Sequence, residues 1–307
     1  MATAQVAPAR PPLPPHLRLG LNHDAYNKFV QDELSKAGFD LQSTAIRSSY
    51  PESLFWIAEQ YGDRLTGYDL AEATKMWLRL NHAEDKSVCE VLKERGWEGI
   101  GEAEVFLSHV QAESPDETLR AMRNINNRGG PARRGTKHEG SKVWVDYFCL
   151  RQLRQDFKPE EIEELIRETG AVYVFMDGEE TRSSYPTRSF CALEFSSAVK
   201  GKAVIMIRPP SDGPLAPPAY GACACCTCEC CCYTMPDYSI DAAAATARRA
   251  EDKAKVDKFI EEGPGFARVN QVMQRELRST ATRRAWDDAI DYWCWPCQAI
   301  GCVDRWY

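Results

Sequence analysis

Glu194 lies in a short helical pattern, Ser189 to Val199, that ends ahead of Gly201 and an apolar strand pattern, Ala203 to Ile207. Earlier in the chain another short apolar run, Val105 to Leu107, leads into Ser108 and His109. Open α/β sheets bind ligands outside the carboxyl ends of their strands. With both runs as strands of one parallel sheet, Ser108, His109 and Glu194 face one crevice. A lone carboxylate there suits a sugar C1 position, where it stabilises or captures the positive charge that builds as a glycosidic bond breaks. Ser108 is then a donor to a ribose or a phosphate, and His109 a hydrogen-bond donor or phosphate polariser. Asp146 falls near the end of a third strand pattern. Arg188, whose guanidinium fork matches phosphate oxygens, is a candidate anchor. Each has a plain alternative. Glu194 is equally a surface residue of an amphipathic helix, His109 a packed histidine and Asp146 a loop cap. Arg188 is equally the partner of Glu179, Glu180 or Glu194.

A second cluster is chemically distinct. Cys223, Cys225, Cys226, Cys228, Cys230, Cys231 and Cys232 make seven of the 13 cysteines. Their Cys-x-Cys steps resemble metallothionein spacing rather than zinc-finger pairs, and such thiolates suit a soft metal ion such as Cu(I) or Zn(II). S-acylation, giving peripheral membrane contact, and a simple low-complexity insertion over 209–237 are the other readings. The remaining cysteines are too unevenly spread for a secreted disulfide framework, so a reducing, cytoplasmic setting is expected.

The elements that must position these residues follow from periodicity. Residues 21–100 read as helical, with Tyr26, Phe29, Val30 and Leu34 on one face. Thr66 to Asp69 forms a capping-box pattern ahead of Leu70, Ala73 and Trp77. From Glu104 the pattern alternates. Strands are expected at Val105–Leu107, Val143–Cys149, Ala171–Met176, Ala203–Ile207 and Tyr238–Asp241. Helices are expected at Pro115–Met122, Pro159–Glu168, Ser189–Val199, Ala242–Glu262 and Phe266–Leu277. This alternation predicts a doubly wound parallel sheet. Residues 1–20, rich in Pro and Ala, read as a disordered tail, and 286–307 as an aromatic, Cys-containing tail. With 307 residues, 44% hydrophobic and 27% charged, the composition is that of an ordinary globular chain. A net charge of −7 argues against a general nucleic-acid binder. No apolar run is long enough to span a membrane.

Val-Phe-Leu-Ser-His, Trp-Val-Asp-Tyr-Phe, Val-Tyr-Val-Phe-Met-Asp and Arg-Ser-Phe-Cys-Ala-Leu-Glu-Phe occur in that order. In this order they resemble a TIR (Toll/interleukin-1 receptor) domain, in particular the divergent TIR-like proteins of algae and other protists. Phe190 stands where those proteins carry Trp. The resemblance spans about residues 101–285. It implies a flavodoxin-like α/β fold with a parallel five-stranded sheet, preceded here by an all-helical region. It also implies signalling, self-association or a protein partner, and in some members cleavage of NAD to nicotinamide and ADP-ribose without a further cofactor. Glu194 matches the catalytic glutamate of those enzymes. Ser108, His109, Asp146, Arg188 and Phe190 become its substrate-binding neighbours. The receptor-type Arg-Asp-x-x-Pro-Gly box is missing, with Leu150 to Pro159 in its place, which leaves a non-catalytic interaction module open. A nucleoside deoxyribosyltransferase-like enzyme, with a Glu ahead of an Ala-x-x-x-Gly-Lys segment, is the third reading.

Overall fold

The computed structural model describes residues 12–40, 44–127, 140–154, 157–176, 184–208 and 240–278. Strand β1 (Leu19–Leu21) opens the fold. Helix α1 (His23–Lys28) runs through a π-helical turn at Phe29–Glu33 into α2 (Leu34–Lys36). Helices α3 (Trp56–Tyr61), α4 (Gly67–Leu80) and α5 (Val88–Glu94) complete the helical region. Strands β2 (Ile100–Glu102) and β3 (Val105–Ser108) come next. They are followed by α6 (Pro115–Asn127), β4 (Val143–Trp144), α7 (Asp146–Cys149), α8 (Pro159–Thr169) and β5 (Ala171–Phe175). Then come α9 (Ser189–Lys200), β6 (Val204–Arg208), α10 (Ala250–Glu262) and α11 (266–278).

Capping chemistry explains where helices start. Thr66 and Asp69 form the reciprocal box expected for α4, and Ser87 and Glu90 form a second at α5. Pro159 sits in the first turn of α8, and Gly170 ends that helix in a left-handed conformation at φ 67°.

The sheet is mixed, with order β2-β1-β4-β3-β5-β6. β4, β3, β5 and β6 are parallel, while β1 lies antiparallel to both β4 and β2. This architecture corrects four expectations. The sheet is not a purely parallel one, because β1 and β2 extend it on the β4 side. Residues 13–19 do not belong to a free tail, since Leu13, Leu17 and Leu19 are buried. The fifth strand expected at Tyr238–Asp241 is absent from its described part, Ile240 and Asp241. Residues 242–249 are irregular rather than helical. Residues 128–139, the Cys-rich insertion 209–237 and the tail 286–307 lie outside the described residues.

One continuous apolar core joins the helical region to the sheet. Its spine is aromatic. Trp77 meets Phe29 edge-on at 5.0 Å, Phe29 meets Phe148 at 5.2 Å, and Phe148 meets Tyr147 at 5.1 Å. Such pairs contribute about 0.5–1.5 kcal/mol each beyond area burial. They tie α1 and α4 to α7, the turn that begins with Asp146.

Candidate functional site

β3 is where the strand order reverses, with β4 on one side and β5 on the other. The carboxyl ends of β3 and β5 therefore open onto the crevice expected at such a point. A cleft of about 920 Å³ lies there, walled by α3 and α4, the loop after β3, the N-terminal half of α9 and the start of α10. Its lining includes Glu194, Asp146, His109, Arg188 and Phe190.

Glu194 sits near the middle of α9, half-buried. Its Oε2 accepts a hydrogen bond from Ser108 Oγ at 2.5 Å. Ser108 Oγ is 2.5 Å from the hydroxyl of Tyr185, a fully buried residue of the 3-10 turn Tyr185–Thr187. Ser108 has one proton, so when Glu194 is ionised Tyr185 donates to Ser108 and Ser108 donates to the carboxylate. Ser108 is itself fully buried. Its hydroxyl is engaged behind the carboxyl, which corrects the expectation that it meets a ribose or a phosphate. Burial pushes the Glu194 carboxyl up to about 8; the Ser108 bond and the His109 charge oppose this, and nearby Asp146 adds to it. Among the described residues, no cationic side chain lies within ion-pair distance of Glu194.

His109 is buried between two acids. Nδ1 lies 2.9 Å from Glu113 Oε1, and Nε2 lies 3.2 Å from Asp146 Oδ1. The Glu113 contact is close but poorly aligned for a hydrogen bond, since Nδ1 has no properly directed acceptor. Burial alone would lower the imidazole value. The Glu113 charge and the Asp146 bond outweigh it and hold His109 well above its ordinary value, as a cation. Glu113 also accepts from Thr118, whose hydroxyl in turn takes the Tyr147 proton at 3.0 Å. The expected open, ligand-polarising His109 is thus an internal counter-charge with little surface in the cleft.

Asp146 does not lie within a strand. β4 stops at Trp144, and Asp146 begins the helical turn α7, where its Oδ1 caps the Tyr147 amide at 2.6 Å. Its other oxygen accepts from Gln111. Arg188 Nη2 donates to Tyr68 Oη at 2.8 Å, and Phe190 packs edge-on against Phe157 at 4.8 Å. Glu194 is not the partner of Arg188, and Glu179 and Glu180, the other candidate partners, lie outside the described residues. Cys223 to Cys232 lie outside the described residues, among which no cluster of His, Cys, Asp or Glu suits a metal ion.

Tyr185, Glu113, Tyr68 and Trp56 were not singled out from sequence. Tyr68 reaches the cleft because α4 begins against the loop after β3. The Gly67 amide donates to Glu113 O at 2.7 Å and the Tyr68 amide to Gln111 O at 3.1 Å. A Cβ at Gly67 would stand 3.0 Å from Gln111 O, so only glycine allows this approach without a shift. The sole sequence signal for it is a glycine just after a capping threonine.

Compared with family models, curated proteins and solved structures, the chain shows no match. Among the described residues, no helix is long and apolar enough to cross a membrane.

Proposed function

We propose that this chain is a TIR-like signalling enzyme of the cytoplasm that cleaves the N-glycosidic bond of a nicotinamide nucleotide, with NAD as substrate and Glu194 as the reacting carboxylate. The observation that carries this reading is Glu194 itself. It lines a large cleft beside the point where strand order reverses, it has no cationic partner among the described residues, and it is aimed by Ser108. The parallel order β4-β3-β5-β6 also agrees with the first four strands of a flavodoxin-like sheet. The motif order described above adds the TIR resemblance.

The chemistry follows from the electrostatics. Breaking the nicotinamide–ribose bond releases neutral nicotinamide and leaves positive charge on the sugar. A carboxylate beside C1 stabilises or captures that charge, and water completes the hydrolysis. Glu194 is largely protonated at neutral pH in the free protein. An arriving pyridinium cation favours the ionised form, so substrate charge and carboxylate charge appear together. His109, fixed as a cation nearby, limits how far burial can suppress that ionisation.

The test is nicotinamide release from NAD by concentrated protein, since self-association accompanies activity in proteins of this type, beside a Glu194→Gln control. Release that disappears in the variant supports the reading. Base exchange on nucleosides with NAD untouched would instead favour deoxyribosyltransferase chemistry at the same glutamate. Inertness toward both would leave an interaction module.

A further inference from the structure

The cleft is longer than its acidic end requires, and its far end has a different chemistry. Arg188 is the residue before α9 and Glu194 lies six residues further on, about 9 Å along the helix axis at 1.5 Å per residue. Around Arg188 stand Tyr68 and Trp56, their rings edge-on at 5.0 Å, with the Arg248 guanidinium 5.9 Å from the Trp56 ring centre. All four line the cleft. Three of the other cations that line the cleft, Lys75, Arg248 and Arg249, already have carboxylates. Lys75 pairs with Glu72 at 2.6 Å, Arg249 pairs with Asp252 at 2.8 Å, and Arg248 lies 3.8 Å from Glu72. Arg188 differs. Its recorded polar partner is the neutral Tyr68 hydroxyl, and no carboxylate of the described residues lies within ion-pair distance. Burial raises the Tyr68 phenol to about 12, against the Arg188 charge that lowers it, so that hydroxyl does not neutralise Arg188. A guanidinium at the wall of a cleft, with no carboxylate among the described residues to pair with it, is suited to an anion, and phosphate fits the fork. Trp56 is half-buried, with ring surface at the cleft for an aromatic base.

We propose that Arg188, Tyr68 and Trp56 form a nucleoside 5′-phosphate subsite. In it Arg188 grips the phosphate and Trp56 supports the base, so the N-terminal helical region supplies half of the substrate site. The inference rests on reading the Glu194 cleft as the substrate site, and it adds which part of the substrate the helical region selects. It makes the cleft bipolar: the substrate's pyridinium cation at the Glu194 end, an anionic phosphate at the Arg188 end.

The test is direct binding by calorimetry of AMP, adenosine and inorganic phosphate to the full chain. AMP is expected to bind at least ~10-fold more tightly than either, the effect of one or two charge-assisted hydrogen bonds added to base stacking. Arg188→Gln is expected to weaken AMP by about 10- to 100-fold and to leave adenosine unchanged, with Arg188→Lys intermediate because the fork is lost but the charge kept. Thermal melts of both variants identify any failure to fold, and Arg188→Lys, which keeps the charge, carries the test if Arg188→Gln does not fold. Equal affinity for AMP and adenosine, or AMP binding unaffected in both Arg188 variants, overturns the phosphate assignment. Inorganic phosphate binding as tightly as AMP overturns the role of Trp56. The wild-type protein separates this subsite from the reaction: AMP binding by a wild type that never cleaves NAD would sustain the subsite and sink the glycosidic reading. Nicotinamide riboside, which lacks the phosphate, cleaved as efficiently as NAD would do the reverse.

Discussion

Replacing Glu194 by Gln should change the pH dependence of stability in a predictable direction. The folded protein holds this carboxyl at about 8 against an ordinary 4.5. The unfolded chain therefore ionises it more readily than the fold does. The sign follows: the stabilising preference for the protonated fold is fully present below pH 4.5 and is lost as pH rises to about 8. The gap corresponds to about 4–5 kcal/mol at about 1.4 kcal/mol per tenfold change in proton affinity. Water at the cleft-facing side of a half-buried group reduces this to about 2–4 kcal/mol. Gln keeps the shape, and its carbonyl can still accept from Ser108, but it does not titrate. Urea unfolding of both proteins at pH 5, 7 and 9 gives the comparison. His109, Tyr185 and Asp146 are common to both, so the difference isolates Glu194. Expected is a variant near wild type at pH 5 that gains about 2–4 kcal/mol relative to it by pH 9. Parallel stability curves over this range would refute the claim that the fold raises Glu194.

Three further outcomes are expected. Ser108→Ala removes the donor to Glu194 and the hydrogen bond to the buried Tyr185 hydroxyl, costing about 1–3 kcal/mol in denaturant midpoints; where NAD is cleaved, the rising limb of kcat/KM, set near pH 8 by Glu194, moves to higher pH. His109→Asn leaves Glu113 buried without its cation and costs about 3–5 kcal/mol in neutral buffer. Because the folded protein raises His109, the stabilisation it provides is full below its ordinary 6.5 and fades as pH climbs through the higher folded value, so the penalty shrinks in alkaline urea melts. Gly67→Ala forces the start of α4 away from Gln111, at about 1–3 kcal/mol by thermal or denaturant unfolding, and weakens AMP binding through the displaced Tyr68.

Long periodic segments were legible in the sequence because each buries a defined face. Three of the four parallel strands, the Thr66–Asp69 box and the helices Pro159–Thr169 and Ser189–Lys200 lie within a residue or two of expectation, while the fourth strand starts at Val143 as expected but ends at Trp144. The meeting of Ser108 with Glu194 was readable too, since both follow strand ends that a parallel sheet brings side by side. β1 and β2 escaped notice because three residues carry no periodicity, and their pairing is set by partners far along the chain. Asp146 was misread inside a strand because Val143 to Cys149 is apolar and aromatic on both sides of it, which fits a buried strand and a buried turn alike. The role of His109 depends on Glu113, four residues on, whose charge is neutralised inside the fold rather than shown by any pattern. Tyr68 and Trp56 carry no sequence pattern that marks a site, and it is the docking of α4 and α3 at the cleft that places them there.

The pairing of β1 with β4 also has a consequence for the newborn chain. Leu21 meets Val143 across the sheet, so β1 waits for a partner made about 120 residues later, a separation that slows closure. During synthesis at roughly 5–20 residues per second, that wait lasts several seconds to tens of seconds. Throughout it, the apolar Leu19 and Leu21 and the helices behind them lack the surface they will cover. The cleft cannot exist until α9 follows, so the growing polypeptide carries no half-built site. A fragment that ends before residue 143 keeps β1 with its β4-facing edge unpaired and is a natural client for chaperones.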